Sequence, residues 1–262
     1  MSDVATSANG AVGIQHIVDH MTEAATSWLA ALSADQRRKA TFDFRDQEER
    51  GRWYYTPNEQ GGLPLAEMDP IQQRLANRLV ATGLSEPGYV TAATIMGIEN
   101  VLDAREDWQM VYRGRKTPNR GRDPQLYFVS IFGDPSAATW GWRFGGHHIS
   151  LHYTIVEGKI GMPTPLFFGS NPAEARMVGP STVRPLAGEE DLGRDLLWAL
   201  DERQLPAAVL SPYAPTDIIQ TNRPAIENGV APSGMARLDA AEQTEAHLRA
   251  LRYDQTPKGL SG

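Results

Sequence analysis

The chain predicts an α+β fold in a single domain, a central antiparallel sheet flanked by N-terminal and C-terminal helices. Apolar residues recur at helical spacing up to about residue 104, alternate with a period of two between Leu126 and Val156, and return to helical spacing near the end. The turns inside the alternating stretch, at 133–136, 145–146 and 157–159, are short. A parallel return needs about a dozen residues or more, so neighbouring strands there run antiparallel. Helices and strands that are segregated along the chain make α+β rather than a doubly wound sheet.

Residues 1–12 are small and polar and are expected to be disordered, 13–255 to form the domain, and 256–262 to be a flexible tail. Ile14, Ile17, Val18, Met21, Ala25, Trp28, Leu29 and Leu32 mark one face of a first helix. Ser33 caps a short second one that begins at Ala34-Asp35-Gln36. The segment 40–44 alternates like a strand. Asp69 before Pro70 opens a helix to Leu79 or Ala81, and Ser85 opens the next, to about Ala104, with Tyr89, Ala93, Met96 and Glu99 on related faces. Residues 126–132 read as a buried strand, and 140–144 and 147–156 alternate. The apolar face of this sheet is expected to pack on the helices of 68–104. Beyond it, 166–169 is strand-like, 188–200 is a helix with an acidic first turn, Asp201 caps a short helical piece, 211–234 is irregular, and 238–253 is an amphipathic helix.

The 262 residues carry a net charge of −7, which argues against nucleic acid as a partner, because phosphate neutralisation needs a basic face. The stretch Arg113, Arg115, Lys116, Arg120 and Arg122 is locally basic but rich in Gly, Pro and Asn, and reads as a solvated loop. No stretch approaches the roughly 18 apolar residues of a membrane span, and the N-terminus lacks the charged start and apolar core of a signal peptide, so a cytoplasmic location is expected. With no cysteine, any metal must be held by His, Asp, Glu or backbone oxygen. The sequence leaves homo-oligomer formation open.

Three of the six histidines lie in Gly146-His147-His148-Ile149-Ser150-Leu151-His152. On a strand, His148, Ser150, His152 and Thr154 share one face, while His147 joins Ile149, Leu151 and Tyr153 on the other. The polar face suggests a site opening into the main cavity, with His148 and His152 as metal ligands or His148 as general base; a solvated strand face is the plainer alternative. Arg143 reads as a rim residue or a buried anion clamp, and Arg50, Trp53, Tyr55, Trp142 and Phe168 as lining for an organic ligand, with core packing the alternative. Arg50 is expected to pair with a carboxylate or ligand. His16 and His20, four apart on the first helix, and His247 read as solvated. There is no nucleophile elbow, phosphate loop or convincing dinucleotide fingerprint.

The motifs Glu49-Arg50-Gly51-Arg52-Trp53-Tyr54-Tyr55-Thr56-Pro57, Phe132-Gly133-Asp134-Pro135-Ser136, residues 140–151 and residues 165–172 together resemble the bacterial family called domain of unknown function 3500, over roughly 20–255. The resemblance implies a single domain and a Gly-His-His-x-Ser motif at Gly146, His147, His148 and Ser150. In the family the position of His152 is commonly Asn. That departure shifts weight from a His148 and His152 metal pair toward His147 or His148 acting with Arg, Glu and Tyr from elsewhere. The sequence therefore suggests an enzyme acting on a small organic substrate by metal-assisted hydrolysis or lytic cleavage, with His147, His148, Ser150 and Arg143 in the chemistry and zinc, iron or copper undecided. A non-catalytic binding protein and a His-ligated iron or copper oxidoreductase are the alternatives. A carboxylate such as Glu99 or Asp134 beside the histidines is the discriminating feature.

Overall fold

A computed structural model of the chain describes residues 3–112, 115–117, 121–161, 166–176, 181–209, 211 and 222. Helix α1 (Asp3–Ala31) buries Val18, Met21, Ala24, Ala25 and Trp28, the three-to-four spacing of one face, and its backbone already starts within the stretch expected to be disordered. Ser33 caps α2 (Ala34–Ala40) through a capping box with Gln36, and the chain passes through β1 (Thr41–Phe42) and α3 (Gln47–Arg50) to β2 (Leu63–Pro64). Asp69 caps α4 (Pro70–Thr82) and Ser85 caps α5 (Glu86–Arg105), both with Pro in the first turn. A small hairpin of β3 (Met110–Tyr112) and β4 (Arg115–Thr117) follows.

The centre of the molecule is a run of antiparallel strands, β5 (Phe128–Phe132), β6 (Trp140–Gly146), β7 (Ile149–Val156) and β8 (Lys159–Ile160), with β9 (Phe167–Phe168) paired to the start of β7. The sheet is mixed, because β1 lies parallel to β5 while β2 lies antiparallel to it. The long helical excursion between β1 and β5 supplies the crossover a parallel pair requires. Two short strands, β10 (Ala175–Arg176) and β11 (Thr182–Val183), pair separately. Within the expected domain stretch, contacts divide the chain into two units, Met1–Pro185 with Asn222–Pro224, and Leu186–Thr221 with Ala225–Gly262. The second unit contains α6 (Ala187–Ala199), with Glu189 and Glu190 in its first turn, and the short α7 (Leu205–Ala208). The helix expected over 238–253, His247, the tail 256–262 and most of 211–234 lie outside the described residues. Among the described residues, no helix is long and apolar enough to cross a membrane.

One face of the sheet is apolar. Trp142 stacks on Tyr153 with ring centroids 4.5 Å apart, Tyr127 on Phe144 at 5.7 Å, and the Tyr153 hydroxyl donates to the Gly83 carbonyl just past α4. Gly83 has no room for a side chain, since a Cβ there would meet the Tyr153 and Trp142 rings at 2.7–2.8 Å. The opposite face carries Ser130, Arg143 and His152 in register on β5, β6 and β7. This face is covered as well, by the segment 49–62, so Ser130, Arg143 and Ser150 are at most 1% exposed.

Candidate acid-base site at the histidine turn

The two glycines expected as a turn are the last residues of β6. Gly146 pairs with Ile149, which leaves His147 and His148 as a two-residue hairpin loop. Gly146 stays in the strand because Tyr127 packs flat against it, 2.5 Å from where a Cβ would stand. The loop is pinned at several backbone groups. The Tyr127 hydroxyl donates to the His147 carbonyl at 2.7 Å, the His148 amide donates to the Tyr55 carbonyl at 2.8 Å, and the Gly169 amide donates to the His148 carbonyl at 2.8 Å. His148 adopts φ +63°, a left-handed backbone uncommon for a residue with a Cβ.

This geometry overturns the two-face assignment. A left-handed residue does not continue the strand alternation, and the His148 ring rests against the His147 ring, centroids 4.1 Å apart, with Phe167, the cross-strand partner of Ser150, at 6.3 Å. The His152 Nε2 lies 3.2 Å from the Ser150 hydroxyl. Among the described residues, no three His, Asp or Glu side chains gather as metal donors.

What converges on the turn is a different set. His147 Nδ1 lies 2.6 Å from Oε1 of Glu99, and its Nε2 faces Nη1 of Arg122 at 3.5 Å. Glu99 sits on the buried stripe of α5 with Ala92, Ile95, Ile98 and Leu102, so the helix delivers a carboxyl into apolar surroundings. Burial, only partly offset by Arg122 and reinforced by Glu106, Asp103 and Asp123, raises its pKa to about 8. Burial and then the neighbouring Arg122 lower His147 to about 3. His148 falls to about 3 through burial, His147 and Arg122. These shifts all favour the uncharged forms, of the acid and of both imidazoles. Arg122 is held through Nε and Nη2 by both oxygens of Glu106, at 2.9 and 3.0 Å. Two buried polar atoms of the cluster, Glu99 Oε2 and His148 Nδ1, have no hydrogen-bond partner among the described residues. Burying a polar atom without a partner costs about 1–3 kcal/mol, which makes these atoms the natural points of attachment for a ligand.

The other sequence-selected residues divide between this cluster and the interior. Trp53, Tyr55 and Phe167 pack edge to face or tilted, centroids 4.7–6.0 Å apart, and Phe167 reaches the His148 ring at 6.3 Å. Phe168 is half-buried opposite Ile149, and Trp142 belongs to the core. The terminal guanidinium nitrogens of Arg143 bind Glu49, Ser130 and the carbonyls of Glu49, Arg52 and Gly61, which ties the covering segment to the sheet, while its buried Nε has no partner among the described residues. Ser150 lies 3.2 Å from His152 Nε2, and burial and then the facing Arg143 push the His152 pKa down to about 3. Among the described residues Arg50 meets no carboxylate; it donates to Gln47 at 3.0 Å and stacks over Phe44 at 4.2 Å, while Arg52 and Arg143 take the oxygens of Glu49. Asp134 stays in its exposed turn, bonded to Ser136. A shallow groove of about 570 Å³ lies elsewhere, along α4 and the start of α5, lined by Gln73, Arg74, Asn77, Arg78 and Tyr89.

Glu106 and Tyr127 escaped the sequence reading, Arg122 was read as part of a solvated loop but is buried, and Glu99 entered only as a discriminator. The signal for Glu99 was present, an acid inside the stripe Ile95, Ile98, Leu102. Arg122 was hidden among the basic residues of its loop. No curated protein and no solved structure matches the chain. A family model matches residues 15–254, nearly the whole chain including every residue of the histidine cluster, and the chain accordingly belongs to the family described as protein of unknown function (DUF3500).

Proposed function

We propose that the chain is an enzyme acting on a small organic substrate by proton transfer, in hydrolysis or lytic cleavage, with Glu99 as proton carrier and His147 as its partner. The observation that carries the reading is Glu99 Oε2, buried and without a partner on a carboxyl whose pKa lies about 8. An acid that keeps its proton at neutral pH and titrates within reach of it suits general acid-base catalysis, where pKa values near the working pH are the effective ones. In a hydrolysis Glu99 protonates the leaving atom as its bond breaks and recovers a proton from the water that adds. Trp53, Tyr55 and Phe167, beside His148, offer apolar surface for the rest of the substrate.

The test is turnover of a panel of small esters, amides and lyase substrates by the native chain and by Glu99→Gln, with folding checked by circular dichroism. Glu99→Gln keeps the shape and removes the titrating proton, so kcat is expected to fall by about 10²–10⁴-fold. An activity that Glu99→Gln retains within a few fold would falsify the assignment.

A further inference from the structure

Each atom around His147 is constrained by its neighbour in a definite order. A guanidinium nitrogen carries hydrogen and offers no lone pair, so the imidazole nitrogen it faces must accept. Arg122 presents Nη1 to His147 Nε2, while its Nε and Nη2 edge is occupied by Glu106. A neutral imidazole has one N–H, and with Nε2 bare that hydrogen sits on Nδ1. Nδ1 points at Glu99 Oε1, 2.6 Å away, so Oε1 accepts and cannot also hold a hydrogen in that contact. The remaining oxygen is Oε2, buried and unpartnered. In the opposite arrangement Glu99 would donate to Nδ1, and an N–H on Nε2 would meet the Arg122 N–H head on.

We infer that Arg122 is a positioning residue: by donating to His147 Nε2 it locks the imidazole in the Nδ1–H tautomer and thereby leaves the Glu99 proton on Oε2, the buried oxygen without a partner among the described residues. The inference rests on the acid-base reading of the same site and adds to it where the proton stands and what keeps it there. It also gives the ion pair a purpose beyond stability. Glu106 closes α5 and Arg122 follows the β3–β4 hairpin, so the pair gathers both ends of that excursion at the histidine. A ligand at this site is met by an O–H donor, so it presents a lone pair there, such as an ester, ether, carbonyl or amine-leaving atom.

The test is long-range proton-nitrogen NMR of the ¹⁵N-labelled chain, which distinguishes a protonated ring nitrogen from a bare one. In the native chain His147 is expected to show Nδ1 protonated and Nε2 bare. The pair substitution R122M/E106Q, which avoids stranding a carboxylate, is expected to move His147 toward Nε2–H. R122K should do the same if the pair variant does not fold, because a lysine engaging Glu106 has no second nitrogen for His147. Glu99→Gln should keep Nδ1–H, since the amide oxygen accepts the same bond. A native His147 with Nε2–H, or an unchanged tautomer in a folded Arg122 variant, overturns the inference. A correct tautomer in a chain without turnover defeats the enzyme reading alone; a wrong tautomer in a chain whose turnover Glu99→Gln abolishes defeats the role of Arg122 alone.

Discussion

His148 holds a left-handed backbone that glycine would adopt at no steric cost, yet the turn keeps a histidine there. Strain of this kind costs about 1 kcal/mol or more and persists where the surroundings over-determine it, as the bonds from the His148 amide and to its carbonyl do here. His148→Gly is therefore expected to be more stable than His148→Ala by about 1 kcal/mol in urea unfolding. Equal stabilities would mean that the turn relaxes and that no strain is stored. Arg143 shows the opposite relation between residue and site. Its side chain is 1% exposed, and its two terminal nitrogens are engaged by Glu49, Ser130 and three carbonyls, so Arg143→Met is expected to cost about 3–5 kcal/mol, the range for breaking a buried pair. A loss below 1 kcal/mol in chemical denaturation would show that the covering segment holds to the sheet without it. The alternating pattern showed that Arg143 lies on the less apolar face. It could not show that the segment 49–62 closes over that face, because such a contact depends on the path of a loop without periodicity.

At the scale of elements, the N-termini of α2 and α4 are joined. Each has a capping box, Ser33 with Gln36 and Asp69 with Gln72, and the two glutamine side chains also bond to each other at 2.9 and 3.0 Å. Gln36 further donates to the Glu67 carbonyl at 2.7 Å and Gln72 to the Ala31 carbonyl at 2.9 Å, which fixes the turn between α1 and α2 against α4. Shared partners make substitutions non-additive. A double-mutant cycle of Gln36→Ala and Gln72→Ala should give a coupling of about 0.5–2 kcal/mol, whereas additive losses would mean that the caps act separately. The caps themselves were legible, because Ser or Asp three residues before Gln satisfies orphan amides locally. Their joining was not, since it brings together residues 36 apart in the chain. The hairpin of β6 and β7 gives the same lesson. Its strands were legible from alternation, but Gly145-Gly146 drew the turn to the wrong pair, because the packing of Tyr127 on Gly146 decides which residues stay in register.

For the molecule as a whole, the buried titratable groups set the pH dependence of stability. His147, His148 and His152 have pKa values lowered from 6.5 to about 3, so between these limits the unfolded chain alone takes up their protons; their contribution is fully present above pH 6.5 and lost as pH falls through about 3. Glu99 is raised from 4.5 to about 8, so its contribution is fully present below pH 4.5 and lost as pH rises through about 8. Three protons outweigh one between pH 4.5 and 6.5, and Glu99 acts alone above that range, so stability should peak near pH 6.5. The falling limb above the peak should approach about 1.4 kcal/mol per pH unit and flatten in Glu99→Gln, as urea unfolding across a pH series would read. A falling limb unchanged in Glu99→Gln would assign it to another group. By itself, the sequence determined the α+β class, the order of the elements, the caps and the apolar sheet face, because each follows from spacing or bonding within a few residues. Only the tertiary structure decided the site. Glu99, Arg122, Tyr127 and His147 come from a helix, a loop, the approach to β5 and a hairpin turn, and their charge states arise from burial, which no local pattern contains.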